Sequence, residues 1–116
     1  MEIPSKVKTY HTVWDIELVD KKTMKKLAGA DDYAGLVRYT HEKIYLLETM
    51  ATGLMKTTLL HEIMHACIFN NRGTVCPDDN SFETWEHYFI GTLEYSLIDV
   101  LKNNPEIVTY LISEEK

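Results

Sequence analysis

The hydrophobic period changes near residue 50, and that change limits the folds open to the chain more than any other feature. From Lys6 to Val19 the residues alternate, with Tyr10, Thr12, Trp14, Ile16 and Leu18 on one parity and His11, Asp15 and Glu17 on the other. That is the period of a half-buried strand. Asp20-Lys21-Lys22-Thr23 interrupts it, and Met24 to Leu27 suits a turn of helix closed by Gly29 and the Asp31-Asp32 pair. Gly35 then opens Leu36-Val37-Arg38-Tyr39, and Ile44-Tyr45-Leu46-Leu47 follows a polar turn at His41-Glu42-Lys43, the pattern of a hairpin. Beyond about Gly53 the period is helical. Leu60, Ile63, Met64, Cys67 and Ile68 recur on one side up to the stop at Asn70-Asn71-Arg72-Gly73.

A polar, proline-containing loop over 74–79 leads to a second long helix. Asn80 and Glu83 read as its capping box, Phe82, Trp85, Phe89, Leu93, Leu97 and Val100 as its apolar stripe, and Asn103-Asn104-Pro105 as its end. Pro105 suits the first turn of a short third helix through Ile107, Val108, Leu111 and Ile112. Strand signals followed by helix signals, in 116 residues with 45% hydrophobic content, predict one α+β domain over 1–116 with one core.

Charge narrows the partners. The formal net charge is -6, and beyond the short Lys21, Lys22, Lys25, Lys26 cluster the basic residues are scattered, so no positive stripe offers itself to nucleic acid. The N-terminal residues lack the charged and apolar regions of an export signal, and no stretch approaches the roughly 18 apolar residues of a membrane span. The expectation is a cytoplasmic protein with no membrane partner. Cys67 and Cys76 read as two free thiols in a reducing compartment.

The first long helix carries His61-Glu62-Ile63-Met64-His65. Residues one helical turn apart share a face, so the imidazoles of His61 and His65 can converge on one ion while Glu62 stands beside it. Two neutral nitrogen donors with an adjacent carboxylate are the parts of a zinc hydrolase, in which the metal lowers the pKa of water from 15.7 to about 7 and the carboxylate takes the proton. A catalytic zinc usually has three protein ligands. Glu83 and His87, four apart on the second helix, are the candidates for the third. Glu83 also has the capping-box role, and His87 lies on a line with Ile90, Leu97 and Leu101 that would face the first helix if the two pack antiparallel. Tyr88, Tyr95, His11 and His41 are available to stabilise an oxyanion, with spacing placing none of them. Cys67 should face the core.

The run Thr58-Leu59-Leu60-His61-Glu62-Ile63-Met64-His65-Ala66, the second helix ending Val100-Leu101-Lys102-Asn103-Asn104-Pro105, and the segment Gly35 to Leu46 together resemble small phage and prophage-encoded zinc proteins related to ImmA/IrrE-type and SprT-like metallopeptidases. The resemblance implies a minimal zincin-like domain, a small antiparallel sheet packed against two long helices plus a short C-terminal helix. It also implies a zinc ion, a peptide or protein as substrate or partner, and Glu62 as general base. In that family the third ligand is typically a Glu on the second helix followed by spaced apolar positions. Laying Ile90, Leu93 and Leu97 on those positions puts His87 where the Glu would stand. The alternative is a zinc-binding module that regulates a partner without catalysis.

Overall fold

A computed structural model describes residues 2–71 and 80–114. The chain opens with β1 (Lys6–Thr9) and β2 (Thr12–Val19), followed by α1 (Lys21–Ala28), β3 (Gly35–Arg38), a single 3-10 turn at Tyr39–His41, and β4 (Lys43–Leu47). Three helices follow: α2 (Thr52–Asn70), α3 (Phe82–Asn103) and α4 (Pro105–Ile112). The α+β class and the hairpin of β3 with β4 are as predicted.

The sheet runs β1-β2-β4-β3 and is mixed. β1 and β3 pair antiparallel with their neighbours, but β2 and β4 run parallel, with Ile16 opposite Ile44 and Leu18 opposite Leu46. This corrects the expected antiparallel sheet. The physical reason is burial. Ile44 and Leu46 are fully enclosed, which makes β4 a central strand, whereas the short β3, bounded by Gly35 and Arg38, is suited to an edge. The intervening α1 gives the chain length enough to enter the sheet two strands away and hairpin back.

The strand-like run from Lys6 to Val19 is two strands, split at Tyr10-His11. No glycine or asparagine announces that turn, yet Tyr10 has a φ of 54°, in the left-handed region. Tertiary contacts hold it there. The Tyr10 N–H donates to Asp99 Oδ2 (3.0 Å), and its hydroxyl accepts from Ser96 Oγ (3.1 Å).

α2 and α3 pack on the sheet, and α4 packs against both helices. Trp14, Ile44, Leu46, Leu59, Ile63, Ala66 and Cys67 form the centre of the core, with no exposure. Trp14 makes edge-on contacts with Tyr39 and Phe69, and its indole N–H donates to Thr9 Oγ1 (2.7 Å). Burying an indole costs little when its one donor is satisfied in this way. The buried face of α2 runs through Met55, Leu59, Ile63 and Ala66, one step round from the predicted line, and Leu60 is exposed. Cys67 faces the core as expected, and burial pushes its thiol up to about 11, an unreactive state. Cys76 and the predicted loop 74–79 lie outside the described residues.

α3 differs most from its predicted role. Its cap is Ser81, whose hydroxyl accepts from the Thr84 N–H, in place of Asn80, so Glu83 is not a capping-box partner. Its buried residues are Thr92, Ser96 and Val100, while Phe82 and Phe89 on the predicted stripe are exposed. α3 therefore docks through its C-terminal half. Asn71, at the end of α2, donates to Thr92 O (3.3 Å) and Ser96 Oγ (2.8 Å), and Asn104 clamps the far end by donating to Lys8 O (2.8 Å) and accepting from the Lys8 N–H (2.7 Å). The polar buried face is thus satisfied by hydrogen bonds, a pattern that an apolar-period reading passes over. No helix among the described residues is long and apolar enough to cross a membrane.

Candidate metal centre

Helix geometry brings two of the predicted donors together. His61 and His65 stand one turn apart on the exposed side of α2, with Nε2 to Nε2 3.1 Å and ring centroids 4.8 Å apart. Two nitrogens bound at 2.0–2.1 Å to one tetrahedral ion would be about 3.3 Å apart, so the spacing of the pair is close to the one a shared cation would set. Burial, and secondarily the charge of His61, lower the pKa of His65, which favours the neutral imidazole that a metal requires.

The pair opens onto a cleft of about 550 Å³ between α2, the loop before β3, and β3 itself. Glu62, Thr58, Gly35, Tyr39 and Asp32 also line it, and none of the residues lining it is a lysine or arginine. A cavity with two imidazoles, two carboxylates and no fixed positive side chain suits a cation.

Glu62 is buried, 5% exposed, on the side of α2 that meets β3. Desolvation raises its pKa, and the charge of His61 opposes that shift in part. A carboxyl held above its ordinary range, next to a candidate metal pair, has the properties of a general base. Gly35 makes room for it. A Cβ at that position would lie 2.8 Å from Thr58 Cγ2, 2.9 Å from Glu62 Oε2 and 3.0 Å from Glu62 Cγ. Glycine at the head of β3 thus sets how closely the edge strand approaches α2. A Gly35→Ala variant is expected to lose about 1–3 kcal/mol of stability, since the branched Thr58 has little freedom to yield, and to displace the Glu62 carboxylate. Urea unfolding checks this; a change below about 0.5 kcal/mol would show that the contact relaxes freely.

The other candidates stand apart from the pair. Glu83 and His87 are exposed on the first turns of α3, and neither lines the cleft. On the line from His87 through Ile90, Leu97 and Leu101 all but the half-buried Leu97 are exposed, which corrects the predicted packing against α2. The reason is angular: His87 precedes Ser96, the centre of the buried face, by nine residues, and so lies about 180° round the helix from it. Among the described residues no group of three or more His, Cys, Asp or Glu is placed to hold a metal ion. The candidate centre therefore has two gathered donors.

His11, His41 and Tyr95 are exposed, and Tyr88 is half-buried in an aromatic trio with Trp85 and Phe89; none of the four lines the cleft. The phenol that does line it is Tyr39, stacked on Phe69 at 4.4 Å and braced edge-on by Trp14. Burial, with the neighbouring charge of Glu62, raises its pKa, so it is a hydrogen-bond donor at neutral pH. Sequence reasoning passed over Tyr39 and Asp32 because nothing in their spacing ties them to His61; only the hairpin and its preceding loop do so. The chain matches no protein-family model, no curated protein and no solved structure.

Proposed function

We propose that the chain is a zinc-dependent hydrolase acting on peptides, with His61 and His65 as metal ligands and Glu62 as general base. The observation that carries the reading is the pair of imidazole nitrogens 3.1 Å apart beside a buried carboxyl in a cleft. When bound, zinc would supply a water acidified to a pKa of about 7. Glu62 accepts the proton, and its desolvated site strengthens it as a base. Tyr39, held by its aromatic neighbours, is the donor available to a developing oxyanion. β3 supports a peptide substrate because it is a sheet edge bordering the cleft, with one side of its backbone unpaired within the sheet and able to hydrogen-bond an extended chain.

The test is metal content, measured by mass spectrometry on untagged protein after equilibration with zinc and removal of the excess. About one zinc per chain is expected, falling below about a tenth in His61→Ala and His65→Ala. Less than about a tenth of an equivalent in the wild type would reject the reading. Glu83→Ala, His87→Ala and Asp32→Ala belong in the same series, and the variant that loses zinc identifies the third donor.

A second reading is a zinc-binding module that regulates a partner without catalysis; it takes its support from the two donors gathered among the described residues, one short of the three protein ligands usual for a catalytic zinc. Retention of zinc with no hydrolysis in the wild type would select it.

A further inference from the structure

We propose that the outward face of α3 is a docking surface for a basic amphipathic helix of another protein. Ile90, Leu97 and Leu101 fall within about 40° of one another on the helix, and Ile98 lies about 60° further round. Ile90, Ile98 and Leu101 are each more than half exposed, at 55%, 55% and 54%. A helix at a protein surface ordinarily has one apolar stripe and turns it to its own core. In α3 that task falls to Thr92, Ser96 and Val100, and of the second apolar line only Leu97 is half-buried while Ile90, Ile98 and Leu101 stay exposed. From Ile90 to Leu101 it runs about 16 Å, three turns, the length over which an amphipathic helix offers anchors at i, i+3 or i+4, and i+7.

Charge selects the occupant. Glu83, Glu86 and Glu94 border the line, and α3 as a whole has four carboxylates and one lysine, Lys102. A second copy laid along the same face would bring Glu94 near its own counterpart and add like charge to a chain whose net charge is already -6. A partner helix with Lys or Arg beside its apolar residues meets Glu94 within the stripe and Glu83 and Glu86 at its N-terminal end, which speeds encounter and sets orientation. The surface is distinct from the His61 cleft, so its test stands whether or not the chain binds zinc.

The probe is a fluorescently labelled helical peptide of about 14 residues, two repeats of Leu-Lys-Lys-Leu-Leu-Lys-Leu, titrated with the full chain and followed by anisotropy, beside a peptide with every Lys replaced by Glu. The Lys peptide is expected to bind and the Glu peptide not to. Ile90→Gln with Leu101→Gln should weaken binding at least about tenfold without altering the circular dichroism, because both side chains are exposed. Glu86→Gln with Glu94→Gln, which removes no apolar contact, should weaken it several-fold and flatten its salt dependence. Failure of the Lys peptide to bind would overturn the proposal. So would equal affinity for the Ile90/Leu101 variant, which would reduce the effect to bulk charge. A dimer in sedimentation velocity that the same variant dissociates would also overturn it, with a second copy as the occupant.

Discussion

Exchange of Glu62 for Gln is expected to lower hydrolysis of a fluorescent casein substrate by about 10²–10⁴-fold, the range that loss of a general base produces, while bound zinc and fold stay in place. Gln has the shape of Glu and cannot accept the proton. Stability should move the other way in the metal-free protein. Burial raises the folded pKa of Glu62, so its proton is bound more tightly in the folded than in the unfolded state. The ionised carboxylate therefore subtracts stability as pH rises above the unfolded value, and the Gln variant is free of that loss. Its melting temperature at neutral pH should equal or exceed that of the wild type, with the difference shrinking as pH falls into the carboxylate range. A variant that loses activity and also melts several degrees lower would place the defect in the structure, and one that retains full activity would remove Glu62 from the chemistry.

Truncation of Trp14 to Ala is expected to cost about 3–5 kcal/mol, a drop in melting temperature of more than roughly 10 °C. The indole has no exposure, and it braces both Tyr39 and Phe69. Its removal leaves a cavity behind the wall of the cleft and strips Thr9 Oγ1 of a donor. Trp14→Phe keeps one ring, loses the indole hydrogen bond and leaves a smaller gap, and should cost less than the Ala variant, about 1–3 kcal/mol. Thermal unfolding followed by circular dichroism separates the two. A cost below about 1 kcal/mol for the Ala variant would mean that the core collapses around the gap. Because Tyr39 rests on Trp14, the Ala variant should also lose activity at temperatures where it is still folded.

The helices were legible because their signals are local. Asn103-Asn104-Pro105 ends α3 and starts α4 as read, and α2 runs to Asn70 as its stop signal implies. The pair at 61 and 65 was legible for the same reason: a spacing of four on any α-helix puts two side chains together, whatever surrounds it. The faces of α3 were not. Its sequence has apolar residues on nearly every side, and the choice went to Thr92 and Ser96: Asn71 and Tyr10 meet the Ser96 hydroxyl, Asn71 also reaches the Thr92 carbonyl, and the Thr92 hydroxyl donates back to Tyr88 O. Periodicity counts methyl groups and cannot count hydrogen-bond partners contributed from 20 to 90 residues away.

By itself, then, the sequence determined the succession from strands to long helices and the convergence of His61 with His65, since both follow from backbone periods that operate within a few residues. The tertiary structure alone decided that β4 runs beside β2, that Tyr10 turns the chain without a glycine, and that Tyr39 and Asp32 share a cleft with Glu62. It also decided that Glu83 and His87 lie on the exposed side of α3. Each of those outcomes depends on which distant surfaces compete for the same burial, and that competition is settled only when the whole core packs at once.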